Sequence, residues 1–136
     1  MRVALATTVF ALGLASPAAG AMGDWATASA TASSVSLRLH YPMTCNQPGR
    51  GPLVVRLPAS AHVGSLRVLV RGVAMAASAS GSTVTVDLPK PPAVTCMSIT
   101  EGMLPVTLRG VRVPAGASVV TASIGRHHFS ARLTRS

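Results

Sequence analysis

Apolar and polar residues alternate along much of this chain with the two-residue period that is typical of half-buried β-strands. The segment 34–41 (SVSLRLHY) places valine, leucine and tyrosine on one side and serine, arginine and histidine on the other. The segment 83–88 (TVTVDL) shows the same alternation most clearly. Further extended segments are predicted at 53–57, 66–71, 73–79, 104–108, 111–113, 118–124 and 127–133.

Proline and glycine separate these segments and predict the turns between them. Pro42 is expected to end the first strand, and glycine-containing pairs at 81–82 and 125–126 are expected to form tight hairpin turns. Only 98–101 (SITE) has the spacing of a helix capping box, and Gly102 behind it limits any helix to a single turn. The sequence therefore predicts an all-β protein.

The many short strands, the Pro/Gly turns and a pair of cysteines predict an antiparallel immunoglobulin-like β-sandwich of about seven or eight short strands with one disulfide. A closed barrel is the alternative. The segment GSTVTVDLP, together with the strand and turn before it, resembles the small immunoglobulin-like or fibronectin-like modules of secreted bacterial proteins. The resemblance covers mainly residues 53–113 and implies a sandwich fold. The tryptophan that antibody-type domains carry between their cysteines is absent from this chain.

Two segments of the chain are similar to each other. LRVLVRGVAM at 66–75 aligns with LPVTLRGVRV at 104–113, and in both the apolar phase shifts by one residue at a glycine, Gly72 or Gly110. Such a shift is expected where a bulge or bend re-aims a strand, so the two segments are predicted to be equivalent bent strands. Duplication of a half-domain is the alternative explanation.

The first 21 residues have the features of a secretory signal peptide: Arg2, an apolar stretch at 3–14, and small residues up to Ala21. No second apolar run of membrane-spanning length follows. We therefore expect a signal peptide at 1–21, a flexible leader at 22–33 and a β-sandwich domain at 34–134, without a transmembrane segment after cleavage. The predicted location is secreted or at the cell envelope, and the high arginine, alanine, glycine and valine content favours a bacterial source.

Cys45 and Cys96 are the only two cysteines of the chain. In an exported protein an even number of cysteines predicts a disulfide. Closing a loop of about fifty residues would destabilise the unfolded chain by about 4 kcal/mol. A covalent link of this kind suits a domain whose core is built mainly from small aliphatic side chains, because each of them buries little area.

The chain is strongly cationic. It contains 12 basic and 3 acidic residues, and removal of Arg2 with the signal would leave a net charge of +8. Such a charge attracts polyanions, and at a cell envelope these include anionic cell-wall polymers and acidic polysaccharides. A solvated surface that only keeps an aliphatic domain soluble is the alternative. The candidate polyanion-binding residues lie on or beside predicted strands: Arg38, Arg67, Arg71, Arg109, Arg112, Arg126 and Arg132.

Catalytic signatures are missing from the sequence. The three acids, Asp24, Asp87 and Glu101, fall in different predicted elements, and neither Gly-x-Ser-x-Gly nor Ser-x-x-Lys occurs. We therefore expect no enzymatic activity and no cofactor. We also expect no specific binding of nucleic acid, because no stacking aromatic residues accompany the arginines in the sequence.

Copper binding is the main alternative function. His40, Met43 and Met97 flank the two cysteines, and a disulfide would draw them together. Histidine and thioether ligands suit copper. Against this alternative, no histidine follows Cys96 at the short spacing of a blue-copper site. The sequence thus favours an exported, non-catalytic binding or structural module at the bacterial cell envelope.

Overall fold

A computed structural model describes residues 23–49, 51–89, 96–116 and 119–135. The predicted signal peptide at 1–21 lies outside these residues. The described chain forms ten β-strands and no helix. The strands are β1 Trp25–Ala30, β2 Ser34–Thr44, β3 Leu53–Arg56, β4 His62–Val70, β5 Val73–Met75, β6 Ala77–Ser80, β7 Thr83–Val86, β8 Ile99–Arg112, β9 Val119–Ile124 and β10 His127–Arg135.

The ten strands form one sheet in the order β5-β4-β8-β2-β1-β10-β9-β3-β7-β6. Strands β5 and β6 stand at opposite ends of this order, yet only Ala76 separates them in the chain. The sheet must therefore curl until its two ends meet at Ala76. The backbone amide of Asp87 donates a hydrogen bond of 2.8 Å to the carbonyl of Ala76, which continues the β6–β7 pairing by one residue. The prediction of an all-β protein with one disulfide is confirmed.

Two details of the predicted architecture are wrong. The strand count is ten rather than about seven or eight: β1 is an additional strand, and the predicted segment 73–79 is divided into β5 and β6, whereas the segments 104–108 and 111–113 join in the single strand β8. The sheet is also mixed rather than purely antiparallel, since β1 and β10 run parallel, with Ala28 opposite Leu133. This parallel pair joins the two halves of the sheet, β5-β4-β8-β2-β1 and β10-β9-β3-β7-β6.

The curled sheet encloses a single aliphatic core. Alternate residues are buried along β2, β9 and β10 and in the later parts of β4 and β8, as the two-residue period predicts. Tyr41 and Phe129 are the only aromatic residues in the described core, and their rings meet edge to face with centroids 5.4 Å apart. The largest fully buried side chains are Leu37, Leu39, Met43, Leu53, Leu104, Leu108 and Ile124.

The segment 22–33 was predicted to be a flexible leader, but it contains strand β1. β1 lies between β2 and β10 and pairs with both. Its sequence WATASA does alternate, but the inward positions, Ala26, Ala28 and Ala30, carry only methyl groups. Alanine is weakly hydrophobic and disfavoured in strands, so the pattern gives little signal. The strand forms because its backbone completes the hydrogen bonding of two neighbours.

Two predicted boundaries also move. Strand β2 continues through Pro42 to Thr44, because the fixed backbone angle of proline is compatible with an extended chain and Pro42 lies opposite Glu101 in the neighbouring strand. The segment 98–101 forms no helical turn, since Ile99–Glu101 begin β8 by pairing with the end of β2. Cross-strand pairing outweighs the local capping pattern here.

The two similar segments adopt different structures at their glycines. Gly110 lies within β8 with a positive φ of 80° at a register shift opposite β4, so the predicted bulge is confirmed there. Arg71 and Gly72 instead form the two-residue turn between β4 and β5, with φ of 53° and 79°. Positive φ at both central residues is the mark of a type I′ hairpin. The prediction of equivalent bent strands is wrong for this segment.

The disulfide joins Cys45 to Cys96, as predicted, with Cα atoms 6.1 Å apart. Cys45 directly follows β2 and Cys96 lies shortly before β8. The backbone amide of Cys45 also donates a 2.8 Å hydrogen bond to the carbonyl of Ser98. The disulfide therefore closes the same end of two hydrogen-bonded neighbours, and it suggests a non-cytoplasmic location.

Candidate anion-binding surface

Two of the candidate arginines lie directly opposite each other on the outer surface of the sheet. Arg67 of β4 is the register partner of Arg109 of β8, and both side chains are exposed. Their neighbours Val68 and Leu108 are buried, so alternation places both arginines on the outer side. Facing residues of an antiparallel pair have Cβ atoms about 5 Å apart, which puts two positive charges side by side.

The same face carries two more of the candidate arginines. Arg112 follows the bulge at Gly110, and because Val111 and Val113 are buried, Arg112 points outward. Its register partner in β4 is His62, which is also exposed. Arg38 lies outward on β2 opposite Pro105 of β8. We call Arg38, Arg67, Arg109 and Arg112 the basic face.

Acidic partners for the basic face are missing among the residues that the structure describes. The one salt bridge in those ranges joins His127 to Asp24, on other strands. Glu101 is the one acidic residue described on the outer side of β8. It lies eight positions before Arg109, about 27 Å along an extended strand, and its partner Pro42 lies four positions from Arg38, about 14 Å, so neither arginine is within salt-bridge distance. The described cations therefore remain available to an external anion.

The other three candidate arginines, Arg71, Arg126 and Arg132, lie outside the basic face. Arg71 is held in the β4–β5 turn, where its Nη2 donates to Asn46 Oδ1 at 3.2 Å and contacts Met43 Sδ at 3.4 Å. Arg126 lies in the β9–β10 turn beside a cleft of about 310 Å³. Arg132 lies on β10, in the other half of the sheet. The two-residue alternation within a strand cannot show which strands lie next to each other in the sheet.

An aromatic stack adjoins the basic face. The rings of Trp25 and His40 are parallel within 1° with centroids 3.7 Å apart, and the two residues are register partners on β1 and β2. The next outward pair along these strands is Thr27 and Arg38. An aromatic residue thus accompanies the arginines in space, although none is near them in the sequence. The only sequence signal for it was the weak alternation of WATASA.

The environment of His40 disfavours its charged form. Burial against neighbouring side chains lowers the pKa of His40 below its usual 6.5, Arg38 lowers it further, and Glu101 opposes the shift. The lowered pKa of His40 favours its neutral form at pH 7, so the stack with Trp25 presents a mainly uncharged aromatic surface beside the arginines.

A second polar cluster lies at the β9–β10 turn. The carboxylate of Asp24 accepts a hydrogen bond of 2.9 Å from Nδ1 of His127, and the His127 ring lies 4.8 Å from that of Tyr41. The buried hydroxyl of Tyr41 donates to the carbonyl of Pro48 at 2.7 Å, and burial raises the pKa of Tyr41 to about 12. These contacts tie the start of β1 and the loop after β2 to the end of the core. Sequence reasoning missed this cluster because it assigned Asp24 to the leader.

The residues of the copper alternative are not brought together. His40 points outward beneath Trp25, whereas Met43 is 1% exposed and points into the core, against the Cα of Gly102. Met97 is 90% exposed. Within the described ranges no group of three or more histidine, cysteine or acidic residues is arranged to hold a metal ion.

Comparison with known proteins adds no relative: no family model, no curated protein and no solved structure shows significant similarity to the chain. No helix in the described part of the chain combines the length and the apolar character that crossing a membrane requires.

Proposed function

We propose that the protein is an exported, non-catalytic binding or structural module of the bacterial cell envelope, and that its basic face binds anionic polymers. The observation that carries the proposal is the direct pairing of Arg67 with Arg109, without a carboxylate partner among the described residues. Like charges that face each other across two strands destabilise a sheet. Solubility alone does not require this arrangement, because arginines placed far apart keep a protein equally soluble without repelling each other.

A bound polyanion would remove this repulsion. Anionic wall polymers and acidic polysaccharides present closely spaced negative groups, and the paired guanidinium groups could contact neighbouring groups of one chain. The attraction would be electrostatic and strongly dependent on salt, since binding releases the counterions of the polymer. Arg38 and Arg112, on the same face, extend the positive surface in both directions along β8.

The test is retention of the disulfide-bonded protein on immobilised polyphosphate over a range of salt concentrations. Arg67→Gln/Arg109→Gln removes two charges from the basic face. The matched control, Arg56→Gln/Arg135→Gln, removes two exposed arginines from β3 and β10. We expect the first variant to elute at a clearly lower salt concentration than the control. Equal shifts for both variants would show that net charge alone causes retention, and no retention of the natural protein would refute the proposal.

Two finer points of the proposal concern export and fold. Cleavage after Ala21 and secretion are supported by the signal-like amino-terminal sequence and agree with the disulfide; mass spectrometry of natural material tests both. We also propose that the curled sheet is a variant of the immunoglobulin-like sandwich. The ends of the sheet, β5 and β6, are not hydrogen-bonded to each other. An experimental structure with two sheet layers packed at about 30°, and with β5 and β6 passing from one layer to the other, would support this assignment, and a barrel closed by hydrogen bonds between β4 and β6 would overturn it.

A further inference from the structure

The outer side of strands β1, β2 and β8 ends in an exposed apolar surface near the disulfide. Trp25 is 42% exposed, Ile99 is 69% exposed and Met103 is 38% exposed. Register aligns Met103, His40 and Trp25 across the three strands. Ile99, opposite Thr44, lies four positions before Met103 on the same side of β8, with Glu101 between them. We call Trp25, Ile99 and Met103 the apolar end. These are three of the six large hydrophobic side chains exposed in the described ranges, and a fourth, Met97, lies two residues before Ile99.

The apolar end is continuous with the basic face. Both lie on the outer side of β8. Along this side, Pro105 follows Met103 and faces Arg38 on β2, and Arg109 lies further along and faces Arg67 on β4. Met103 and Arg109 are about 20 Å apart along the extended strand. One side of the sheet therefore presents apolar side chains at one end and unpaired cations at the other, over a distance that a flat partner can span.

We infer that the partner of this surface is an anionic lipid bilayer, an inference that rests on the proposed binding role of the basic face. Tryptophan and other apolar side chains are favourable at the headgroup level of a bilayer, and nearby arginines are attracted to anionic lipid phosphates. A polyphosphate or polysaccharide chain would neutralise the arginines but has no hydrocarbon to cover Ile99 and Met103. Charge complementarity and apolar exposure on the same face together favour the bilayer.

A second copy of the chain fits this surface less well. A stable interface buries about 800 Å² on each partner, which is more than three partly exposed side chains provide. A two-fold dimer uses the same surface on both copies, so enlarging its contact would bring the arginines of both basic faces into one interface. Glu101 is the one acidic residue described on this outer side of β8, so most of those positive charges would have no partner of opposite sign.

The test measures binding of the disulfide-bonded protein to vesicles of phosphatidylcholine with and without phosphatidylglycerol. Ile99→Ser/Met103→Ser removes apolar surface from the apolar end, and Val73→Ser/Val119→Ser removes two valines that are 58% and 46% exposed elsewhere. We expect binding to the anionic vesicles only. The first variant should lower that affinity about tenfold, and the valine variant should change it little. Fluorescence of Trp25, the single tryptophan, should shift to shorter wavelength on binding.

Retention on polyphosphate, measured in parallel, separates this inference from the proposed function. The Ile99→Ser/Met103→Ser variant should keep the retention of the natural protein. Retention on polyphosphate without vesicle binding, or vesicle binding that Ile99→Ser/Met103→Ser leaves unchanged, would overturn the lipid inference alone. If the natural protein binds neither polyphosphate nor anionic vesicles, both proposals are overturned. A dimer in sedimentation that Ile99→Ser/Met103→Ser dissociates would assign the apolar end to a second copy and also overturn the lipid inference.

Discussion

The indole of Trp25 stacks on the imidazole of His40 with the two ring centroids 3.7 Å apart. Burial and the charge of Arg38 lower the pKa of His40, and Glu101 partly opposes them. Because the folded pKa lies below the unfolded value of 6.5, protonation favours the unfolded chain. The contribution of His40 to stability is therefore complete above pH 6.5 and is lost as pH falls through the lowered pKa.

The pH prediction can be checked residue by residue. In an NMR titration of the imidazole, Arg38→Gln should raise the pKa of His40 and Glu101→Gln should lower it further. Arg56→Gln, on β3, should leave it unchanged. A pKa of His40 at or above 6.5 in the natural protein would contradict the partly buried, stacked environment described for this side chain.

The paired arginines should reduce stability. Replacing Arg67 by glutamate turns the repulsive pair with Arg109 into an attractive one. We expect Arg67→Glu to raise the free energy of unfolding by about 0.5–1 kcal/mol at low salt while weakening retention on polyphosphate. Urea denaturation measures the first effect. A destabilised Arg67→Glu protein would indicate that Arg67 has a structural role that the register does not show.

Gly110 should tolerate no side chain. Its φ is +80°, and an added Cβ would lie 2.1 Å from the carbonyl oxygen of Ser65. We expect Gly110→Ala to destabilise the protein by more than about 2 kcal/mol, through backbone strain and displacement of β4. Gly64→Ala is the matched control in the same bulge, since its Cβ would meet only the carbonyl of Gly110 at 3.6 Å. Equal urea midpoints for the two variants would show that the bulge is more adaptable than described.

The disulfide should contribute a large part of the stability. Cys45 and Cys96 are separated by 51 residues, and the chain-entropy estimate for such a loop is about 4 kcal/mol. Cys45→Ser/Cys96→Ser should lower the free energy of unfolding by a similar amount, as should reduction of the natural protein. A loss below about 1 kcal/mol would mean that the hydrogen bonding between β2 and β8 alone secures this end of the sheet.

Strand positions were largely predictable from the sequence, because a two-residue period of aliphatic residues directly reflects one buried face. The long strand β2, the β6–β7 hairpin and the β9–β10 hairpin follow from alternation and glycine turns. Strand β1 could not be predicted in this way, because its inward residues Ala26, Ala28 and Ala30 differ little in hydrophobicity from the residues between them. The two glycines of the similar segments could not be distinguished either, because pairing across strands decides between a bulge and a turn.

The candidate site was only partly predictable. Alternation predicted Arg38 and Arg67 as outward residues, whereas Arg109 and Arg112 were predicted only to lie on or beside strands. Strand order brings the four together, and strand order depends on contacts distant in sequence. The same dependence concealed the stack of Trp25 on His40. The copper alternative paired His40 with Met43 because they are close in the sequence. Three positions along a strand place two side chains on opposite faces of the sheet.

The most direct test of the central claim is an NMR titration of the amide-labelled protein with polyphosphate at low salt. If the basic face is the binding site, chemical-shift changes will concentrate on β4, β8 and β2 around Arg67, Arg109 and Arg38, and they will disappear at high salt. Changes concentrated on β9, β3 and β7, or spread evenly over all exposed arginines, would contradict the claim that this face is the site.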